Sequence, residues 1–228
     1  MLTGAGMSAD SGLSTFRDSG GLWEGYDIED VATIRGWKRD PERMLDFYNK
    51  RRKQAFRATP NKGHHTLAEL ESHFEIKIIT QNVDDLHERA GSSSVLHLHG
   101  KLNEARSSRT DGHIIDIGDR SIQPGDKAED GSQLRPNVVW FGEPVPNIEP
   151  ASGIVSQADL LVIIGTSLVV YPAAGLIDFA MSEIPKFIID PSETQIQLND
   201  KWTYISEPAE TGVLKLKELL ISNFCNDD

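Results

Sequence analysis

Two histidines separated by one residue are the first candidates for acid–base chemistry in this sequence. His97 and His99 lie in residues 95–100 (VLHLHG), where strand alternation places both imidazoles on one face. Imidazole exchanges a proton near neutral pH, so either ring is suited to act as a general base. For each histidine taken alone a structural role is the simpler interpretation, and no third ligand lies at the spacing of a zinc site.

A glycine turn near the start of the chain is typical of a phosphate site. Gly4, Ala5 and Gly6 open the segment GAGMS, in which a backbone free of side chains is able to approach a pyrophosphate at the start of a helix. Two glycines separated by one residue also occur in ordinary tight turns, and this alternative stays open.

Polar side chains also stand where three apolar runs end. Gln81, Asn82 and Asp84 follow the run at 76–80. Gly165, Thr166 and Ser167 stand at the end of the run at 159–165, and Asp190 ends the run at 186–190. Doubly wound folds bind ligands at the carboxyl ends of their strands, where an acid bonds ribose hydroxyls. Helix caps are the alternative for Asn82 and Asp84, and a cap with tight packing is the alternative for the hydroxyls.

A predicted helix over residues 41–56 carries an arginine on an otherwise apolar stripe. Residues at spacings of three and four share one face, here Met44, Tyr48, Arg51 and Ala55. An arginine on such a stripe either reaches water or meets an anion. The neighbouring Arg52 and Lys53 favour the first interpretation, a solvated basic face.

The elements that must position these residues follow an α/β pattern. Apolar runs of strand length alternate with helical stretches, which predicts a doubly wound, Rossmann-like parallel sheet covered by helices on both faces. The clearest predicted strands are 76–80, 95–98, 138–140, 159–165 and 186–190, and the predicted helices include 41–56, 63–71, 175–181 and 213–224. Only Met1 and Leu2 are apolar before the glycine turn, so the first strand is predicted to be short.

Residues 101–135 interrupt the alternation. They are rich in Gly, Asp, Ser and Arg, and their apolar cluster of Ile114, Ile115 and Ile117 is too small for a core of its own. We predict a small inserted module there, between Gly100 and Pro136. Residues 1–100 and 136–228 then form the Rossmann-like domain.

Composition excludes several classes of protein. The 228 residues include 23 Lys and Arg against 35 Asp and Glu, a formal charge of -12 that argues against a nucleic-acid partner. No apolar stretch approaches the ~18 residues of a membrane span, so no membrane partner is expected. A single cysteine, Cys225, leaves no internal disulfide and no multi-cysteine metal site. No signal-peptide pattern is apparent, which predicts a cytoplasmic protein.

Taken in order, six motifs resemble the sirtuins, the NAD-dependent protein lysine deacylases. The motifs are GAGMS at 4–8, TFRD at 15–18, QNVD at 81–84, HLHG at 97–100, VVWFGE at 138–143 and GTSL at 165–168. They cover nearly the whole chain in register. The resemblance implies NAD as cofactor and acyl-lysine proteins or peptides as substrates.

The resemblance also implies a mechanism. In sirtuins the acyl-lysine carbonyl oxygen attacks C1′ of the nicotinamide ribose, nicotinamide leaves, and a histidine base acts on a ribose hydroxyl so that the acyl group passes to ADP-ribose. By motif His99 is that base, active when neutral, and a change at His97 is expected to be mild. Asn82 matches the residue that orients the ribose and a water, Asp84 the one that holds the nicotinamide amide, and Gln81 a ribose contact.

Further cofactor residues follow by motif. The cofactor loop is matched by Gly4, Ala5, Gly6, Phe16 and Arg17, and the phosphate and ribose contacts by Gly165, Thr166 and Ser167. Asp190 stands where the family more often has Asn, so ribose bonding there is expected with details of its own.

The substrate side is implied in the same way. Sirtuins bind the acyl-lysine peptide as an added strand between two loops, matched here by Val139, Phe141, Gly142 and Glu143 and by Leu168 and Val170. For residues 138–141 an ordinary core strand is also possible. Tyr48 and Arg51 fit the Tyr-x-x-Arg pair of class III sirtuins, which binds the carboxylate of succinyl- or malonyl-lysine, and Ala32 matches the small residue beside it. The implied enzyme is a desuccinylase and demalonylase with weaker deacetylase activity.

The sequence departs from the family where sirtuins usually carry two cysteine pairs around zinc. Residues 107–110 (SSRT) occupy the place of the first pair, and hydroxyls and guanidinium do not hold structural zinc, so no metal is expected. Two rival functions share the cofactor pocket: an NAD hydrolase or ADP-ribosyltransferase, and a non-catalytic NAD or ADP-ribose sensor. A peptide requirement for nicotinamide release separates the first from a deacylase, and a sensor has no need of His99 beside the ribose.

Overall fold

The computed structural model describes residues 1–15, 22–23, 25–110, 112–192 and 199–225. Its strands are β1 (Leu2–Thr3), β2 (Leu22–Trp23), β3 (Tyr26–Asp27), β4 (Ile78–Thr80), β5 (Val95–His97), β6 (Gly100–Ser107), β7 (Ile115–Asp116), β8 (Leu134–Val138), β9 (Leu161–Ile164), β10 (Lys186–Ile189) and β11 (Trp202–Ile205). Its helices are α1 (Gly6–Ala9), α2 (Ile28–Val31), α3 (Ile34–Arg39), α4 (Pro41–Arg57), α5 (Lys62–Leu70), α6 (Leu86–Ala90), α7 (Ile148–Ser156) and α8 (Ala209–Phe224), with a 3₁₀ helix at Ala173–Phe179.

Six strands form one parallel sheet in the order β11-β10-β9-β1-β4-β5. Numbered along the chain, this is 6-5-4-1-2-3, the strand order of doubly wound dinucleotide-binding folds. The predicted fold class is therefore confirmed. The two-residue β1 pairs with β4 on one side and with β9 on the other, so the strand order reverses at the middle of the sheet. Such a reversal opens a crevice at the carboxyl ends of the strands.

Alternating side chains build a core on each face of this sheet. In β4, Ile78 packs in a cluster with α5 and α8, whereas Ile79 packs on the opposite face with α7 and the 3₁₀ helix. All residues of β4, β9 and β10 are buried, as expected of strands covered on both faces. The rigid layers thus hold the ends of the central strands in fixed positions.

Three strands form a separate antiparallel sheet in the order β7-β6-β8. Its apolar cluster contains Ala105, Ile117, Ile122 and Leu134, packed with Leu45 from α4. The segment completes its small core with a helix of the main body, because its own apolar residues are few. These strands begin at Gly100 and end at Val138, and the division of the chain at 101–135 stays a prediction.

Hydrogen bonds around Ser107 link the turn that follows β6 to the turn that precedes β8. The Ser107 hydroxyl donates to Asp130 Oδ2 at 2.7 Å and lies 2.8 Å from Ser132 Oγ. Its oxygen also accepts from the backbone N–H groups of Arg109 and Thr110. In the described part of the chain, no group of three or more His, Cys, Asp or Glu residues is placed to hold a metal ion. Hydroxyl and carboxylate groups therefore tie the turn after β6 to the turn before β8.

Several predicted boundaries shift by a few residues. The strand predicted at 138–140 ends at Val138 and begins at Leu134, and the helix predicted at 175–181 is the 3₁₀ helix at Ala173–Phe179. The two predicted cofactor residues Phe16 and Arg17 lie outside the described residues. Among the helices that are described, none has both the length and the apolar character needed to cross a membrane.

Candidate active site

One cavity of about 570 Å³ opens at the carboxyl ends of the central strands, a volume typical of ligand sites. Most predicted site residues line it: Gly4, Ala5, Gly6, Ala32, Tyr48, Arg51, Gln81, Asn82, Asp84, His99, Val139, Phe141, Gly142, Glu143, Gly165, Thr166, Ser167, Val170 and Asp190. Leu168 instead packs against apolar clusters beside the cavity. The structure thus brings residues from the ends of β1, β4, β5, β8, β9 and β10 and from α4 to one place.

The glycine turn after β1 contacts the turn after β9 through bare backbone. Gly6 N donates to Gly165 O at 2.9 Å, and a Cβ added at Gly6 would lie 2.7 Å from Gly165 Cα. Gly165 itself has a positive φ of 58°. Glycine is therefore required in both turns, and the absence of side chains there lets a pyrophosphate approach the backbone closely.

Asn82 ties the turn after β4 to the glycine turn. Its Nδ2 donates to Gly4 O at 3.0 Å and to Ser8 Oγ at 3.1 Å, and the Ser8 hydroxyl donates to Asp84 Oδ2 at 3.0 Å. Burial raises the pKa of Asp84, although hydrogen bonds from Leu86 N and Ser8 oppose the shift. Ser8 belongs to the GAGMS motif, but the sequence alone gives no sign that its hydroxyl bridges Asn82 and Asp84.

His99 is held in the tautomer that a general base needs. Its Nδ1 lies 3.0 Å from the backbone oxygen of Gln81, and since a carbonyl oxygen only accepts, Nδ1 carries the proton. The lone pair is then on Nε2. Burial lowers the pKa of His99 below its ordinary 6.5, while the bond to Gln81 works in the opposite direction. The imidazole is consequently neutral at pH 7 and able to take a proton.

The helix α4 supplies another part of the cavity wall. Tyr48 is fully buried and Arg51 is half-buried one turn later, both facing the same cavity as His99. Burial raises the pKa of Tyr48, so its hydroxyl remains a donor, although the charge of Arg51 works against the shift. Ala32 stands nearby, its carbonyl accepting from Phe141 N at 2.8 Å.

Arg52 corrects one sequence expectation about this helix. Its position beside Lys53 favoured a solvated basic face, yet Arg52 is only 1% exposed. Its Nη1 donates to Asn49 Oδ1 at 2.7 Å, and its Nε donates to Leu102 O. Acceptors from α4 and β6 thus bind two of its nitrogens, so Arg52 joins the helix to the small sheet.

Glu143 lines the cavity with its carboxylate already bonded. Arg135 donates to both of its oxygens, at 2.7 and 3.0 Å, and Trp140 N donates to it at 2.8 Å. The Arg135 guanidinium also stacks on the Trp140 ring, 3.2 Å from the centroid. That ring lies 6.3 Å from the ring of Tyr48. Arg135 and Trp140 brace the wall around Tyr48, and the sequence carried no signal of this because it depends on tertiary packing.

The donor set fits a dinucleotide. The glycine turns leave room for a pyrophosphate beside the backbone, and Asp190 and the hydroxyls of Thr166 and Ser167 suit ribose hydroxyls. Gln81 stands between two of the strand ends, its Nε2 donating to Thr166 Oγ1 at 2.9 Å. These groups come from β4, β9 and β10, which flank the reversal of strand order at β1.

Known proteins are similar to this chain in sequence and in fold. Residues 4–172 match the sequence profile of the Sir2 family. A relative from Bacteroides thetaiotaomicron, named NAD-dependent protein deacylase, is 52% identical over 226 residues, covering 97% of each chain. A Sir2 homologue solved with NAD superimposes with a TM-score of 0.87 at 39% identity, covering 97% of this chain and 88% of that one.

A Sir2 protein bound to a propionylated peptide superimposes with a TM-score of 0.76 at 31% identity, over 97% of this chain and 90% of its own. Both structures align over nearly the full length of the chain. With the profile matched over residues 4–172 and a relative at 52% identity, the chain belongs to the Sir2 family.

Proposed function

We propose that this chain is an NAD-dependent protein lysine deacylase that prefers succinyl- and malonyl-lysine to acetyl-lysine. One observation carries the preference: Tyr48 and Arg51, one turn apart on α4, line the same cavity as His99. A hydroxyl donor beside a guanidinium matches a carboxylate, because charge-assisted hydrogen bonds to a carboxylate are stronger than neutral ones. The deacylase activity is supported by membership of the Sir2 family.

NAD fits the cavity by the chemistry of its donor groups. When bound, it supplies an electrophilic ribose carbon with nicotinamide as its leaving group. The glycine turn would hold the pyrophosphate, and Thr166, Ser167 and Asp190 would bond ribose hydroxyls. Asp84 would accept from the carboxamide of nicotinamide.

His99 acts as the base in this scheme. Its neutral ring takes a proton from a ribose hydroxyl at Nε2, while the bond from Nδ1 to Gln81 O keeps the ring oriented. Both donor bonds of the Asn82 amide go to the glycine turn and α1, so its Oδ1 is the atom that would orient a hydroxyl or a water. A mere sensor of NAD would gain nothing from this base, which favours an enzyme.

The acyl-lysine peptide would bind between residues 141–143 and 168–170. Phe141 and Val169 are 46% and 63% exposed, although both are apolar and line the cavity. Leu168 has a φ of 54°, an uncommon backbone conformation for a leucine that is often associated with functional sites. A solved Sir2 relative that holds a propionylated peptide supports a peptide substrate.

Mass spectrometry tests the proposal. One peptide sequence carrying acetyl-, malonyl- or succinyl-lysine is incubated with NAD, and kcat/KM is measured for each acyl group. We expect succinyl and malonyl peptides to exceed the acetyl peptide by about tenfold or more, with acyl-ADP-ribose as product. Equal values would refute the preference and leave a general deacylase. Nicotinamide release that needs no peptide would favour the NAD hydrolase.

A further inference from the structure

His97 lies behind the cavity wall and is bonded at both ring nitrogens. Its Nδ1 is 3.0 Å from the backbone oxygen of Asn82, and its Nε2 is 2.9 Å from Glu88 Oε1. The side chain is 5% exposed. It stands at the end of β5, and the cavity lining does not include it. The residue therefore acts on the site only through its two neighbours.

Both neighbours of this ring are acceptors. A carbonyl oxygen cannot donate, and an ionised carboxylate cannot donate either. Burial works to raise the pKa of Glu88, but the hydrogen bonds and charges of His97 and Lys101 outweigh it and lower the pKa to about 2. Lys101 Nζ lies 2.9 Å from the same Oε1. Glu88, held by Lys101, thus fixes the orientation of the His97 ring from the side opposite Asn82 O.

Two consecutive carbonyl groups are held by the two histidines of one segment. Nδ1 of His99 is hydrogen-bonded to Gln81 O, and Nδ1 of His97 is hydrogen-bonded to Asn82 O. The side chain of Asn82 in turn holds Gly4 O. The carbonyl that His97 holds therefore lies next to the carbonyl that orients the base, in the residue whose side chain holds the glycine turn.

We propose that His97, oriented by Glu88, is a positioning residue for the deacylation reaction, because it fixes the carbonyl of Asn82, which directly follows the Gln81 carbonyl that orients His99. The proposal rests on the deacylase function proposed above. It replaces the sequence-based expectation that changes at His97 are mild. Misplacing a reacting group by about 1 Å costs up to ~100-fold in rate, so the expected effect is large although His97 touches neither substrate nor cofactor.

Kinetics of matched variants test the proposal. His97→Phe keeps a ring of similar size and removes both hydrogen bonds, while His113→Phe makes the same change at a histidine with a 61% exposed side chain. We expect His97→Phe to lower kcat by about 10- to 100-fold, with KM for peptide and NAD within about threefold. Glu88→Gln, whose amide oxygen still accepts from Nε2, should recover most of the kcat that Glu88→Ala loses. If Glu88 had a purely structural role, Glu88→Gln and Glu88→Ala would have the same kcat.

An NMR titration of His99 provides a readout that needs no turnover. The bond to Gln81 raises the pKa of His99, so loosening it in His97→Phe should lower the titration midpoint of His99, while His113→Phe leaves it in place. An unchanged midpoint together with a kcat within twofold of the parent would overturn the proposal. If His97→Phe does not fold, equal kcat values for Glu88→Ala and the parent overturn it. A parent protein inactive on every acyl peptide refutes the proposed function instead, and the titration still decides the role of His97.

Discussion

Replacing Arg51 by methionine removes the guanidinium that α4 presents to the cavity and keeps a side chain of similar length. A succinyl carboxylate would then lose one charge-assisted hydrogen bond, an interaction worth ~1.5 to 3 kcal/mol. Since 1.4 kcal/mol corresponds to a factor of ten, the loss in kcat/KM on a succinyl peptide lies between about 10- and 150-fold. An acetyl group has no carboxylate, so its kcat/KM should change by less than about twofold.

The structure narrows this range. Arg51 is half-buried, so water screens part of its charge, and Tyr48 stays in place as a second donor. We therefore expect the lower part of the range, about 10- to 40-fold.

The assay measures kcat/KM on succinyl- and acetyl-lysine versions of one peptide for the parent and Arg51→Met. Arg57→Met is the matched control, because Arg57 is exposed at the end of the same helix. It should leave both values unchanged. Equal losses on the two peptides in Arg51→Met would remove Arg51 from acyl recognition, and the solvated-face interpretation would then apply.

Further changes have equally defined outcomes. His99→Ala should abolish deacylation while circular dichroism and calorimetric NAD binding persist, and turnover by the folded variant would contradict its role as base. Because burial lowers the pKa of His99 below 6.5, kcat/KM should be constant near pH 7 and fall only at lower pH as the ring gains a proton; an acid midpoint above 6.5 would count against this. Ser107→Ala leaves the N–H groups of Arg109 and Thr110 without their acceptor, which should cost ~1 to 3 kcal/mol in urea unfolding, and an unchanged midpoint would show the bonds to be dispensable. EDTA should change neither the unfolding temperature nor the activity, and a loss of both would reveal a structural metal.

The strands that could be predicted from the sequence are those whose composition fits only a strand buried on both faces. Val and Ile runs such as β9 and β10 are buried on both faces, and few other elements accept that pattern. The helix α7 escaped prediction because Pro150 and Gly153 interrupt its periodicity. Helices of four or five residues, such as α1 and α6, are too short to show a helical period at all.

The candidate site was predictable where it depends on strand ends. Polar residues that follow parallel strands meet at one edge, whatever the details of packing. The contacts of Arg135 with Trp140, and of His97 with Glu88, depend instead on how distant segments pack. Arg52 shows the same limit, since a buried arginine bonded to Leu102 O and Asn49 Oδ1 has the same sequence signature as an exposed one.

The hydrogen-bonded cluster of Ser107, Asp130 and Ser132 has a consequence under oxidative stress. Thiolates that hold zinc react with peroxides, and the resulting sulfur oxides no longer bind the metal. Alcohol and carboxylate groups do not enter that chemistry, so the junction between β6 and β8 survives oxidants that would dismantle a cysteine–zinc cluster. The single thiol of the sequence, Cys225, stands at the end of α8 rather than in this module. The link between β6 and β8 is thus independent of the redox state of the surroundings.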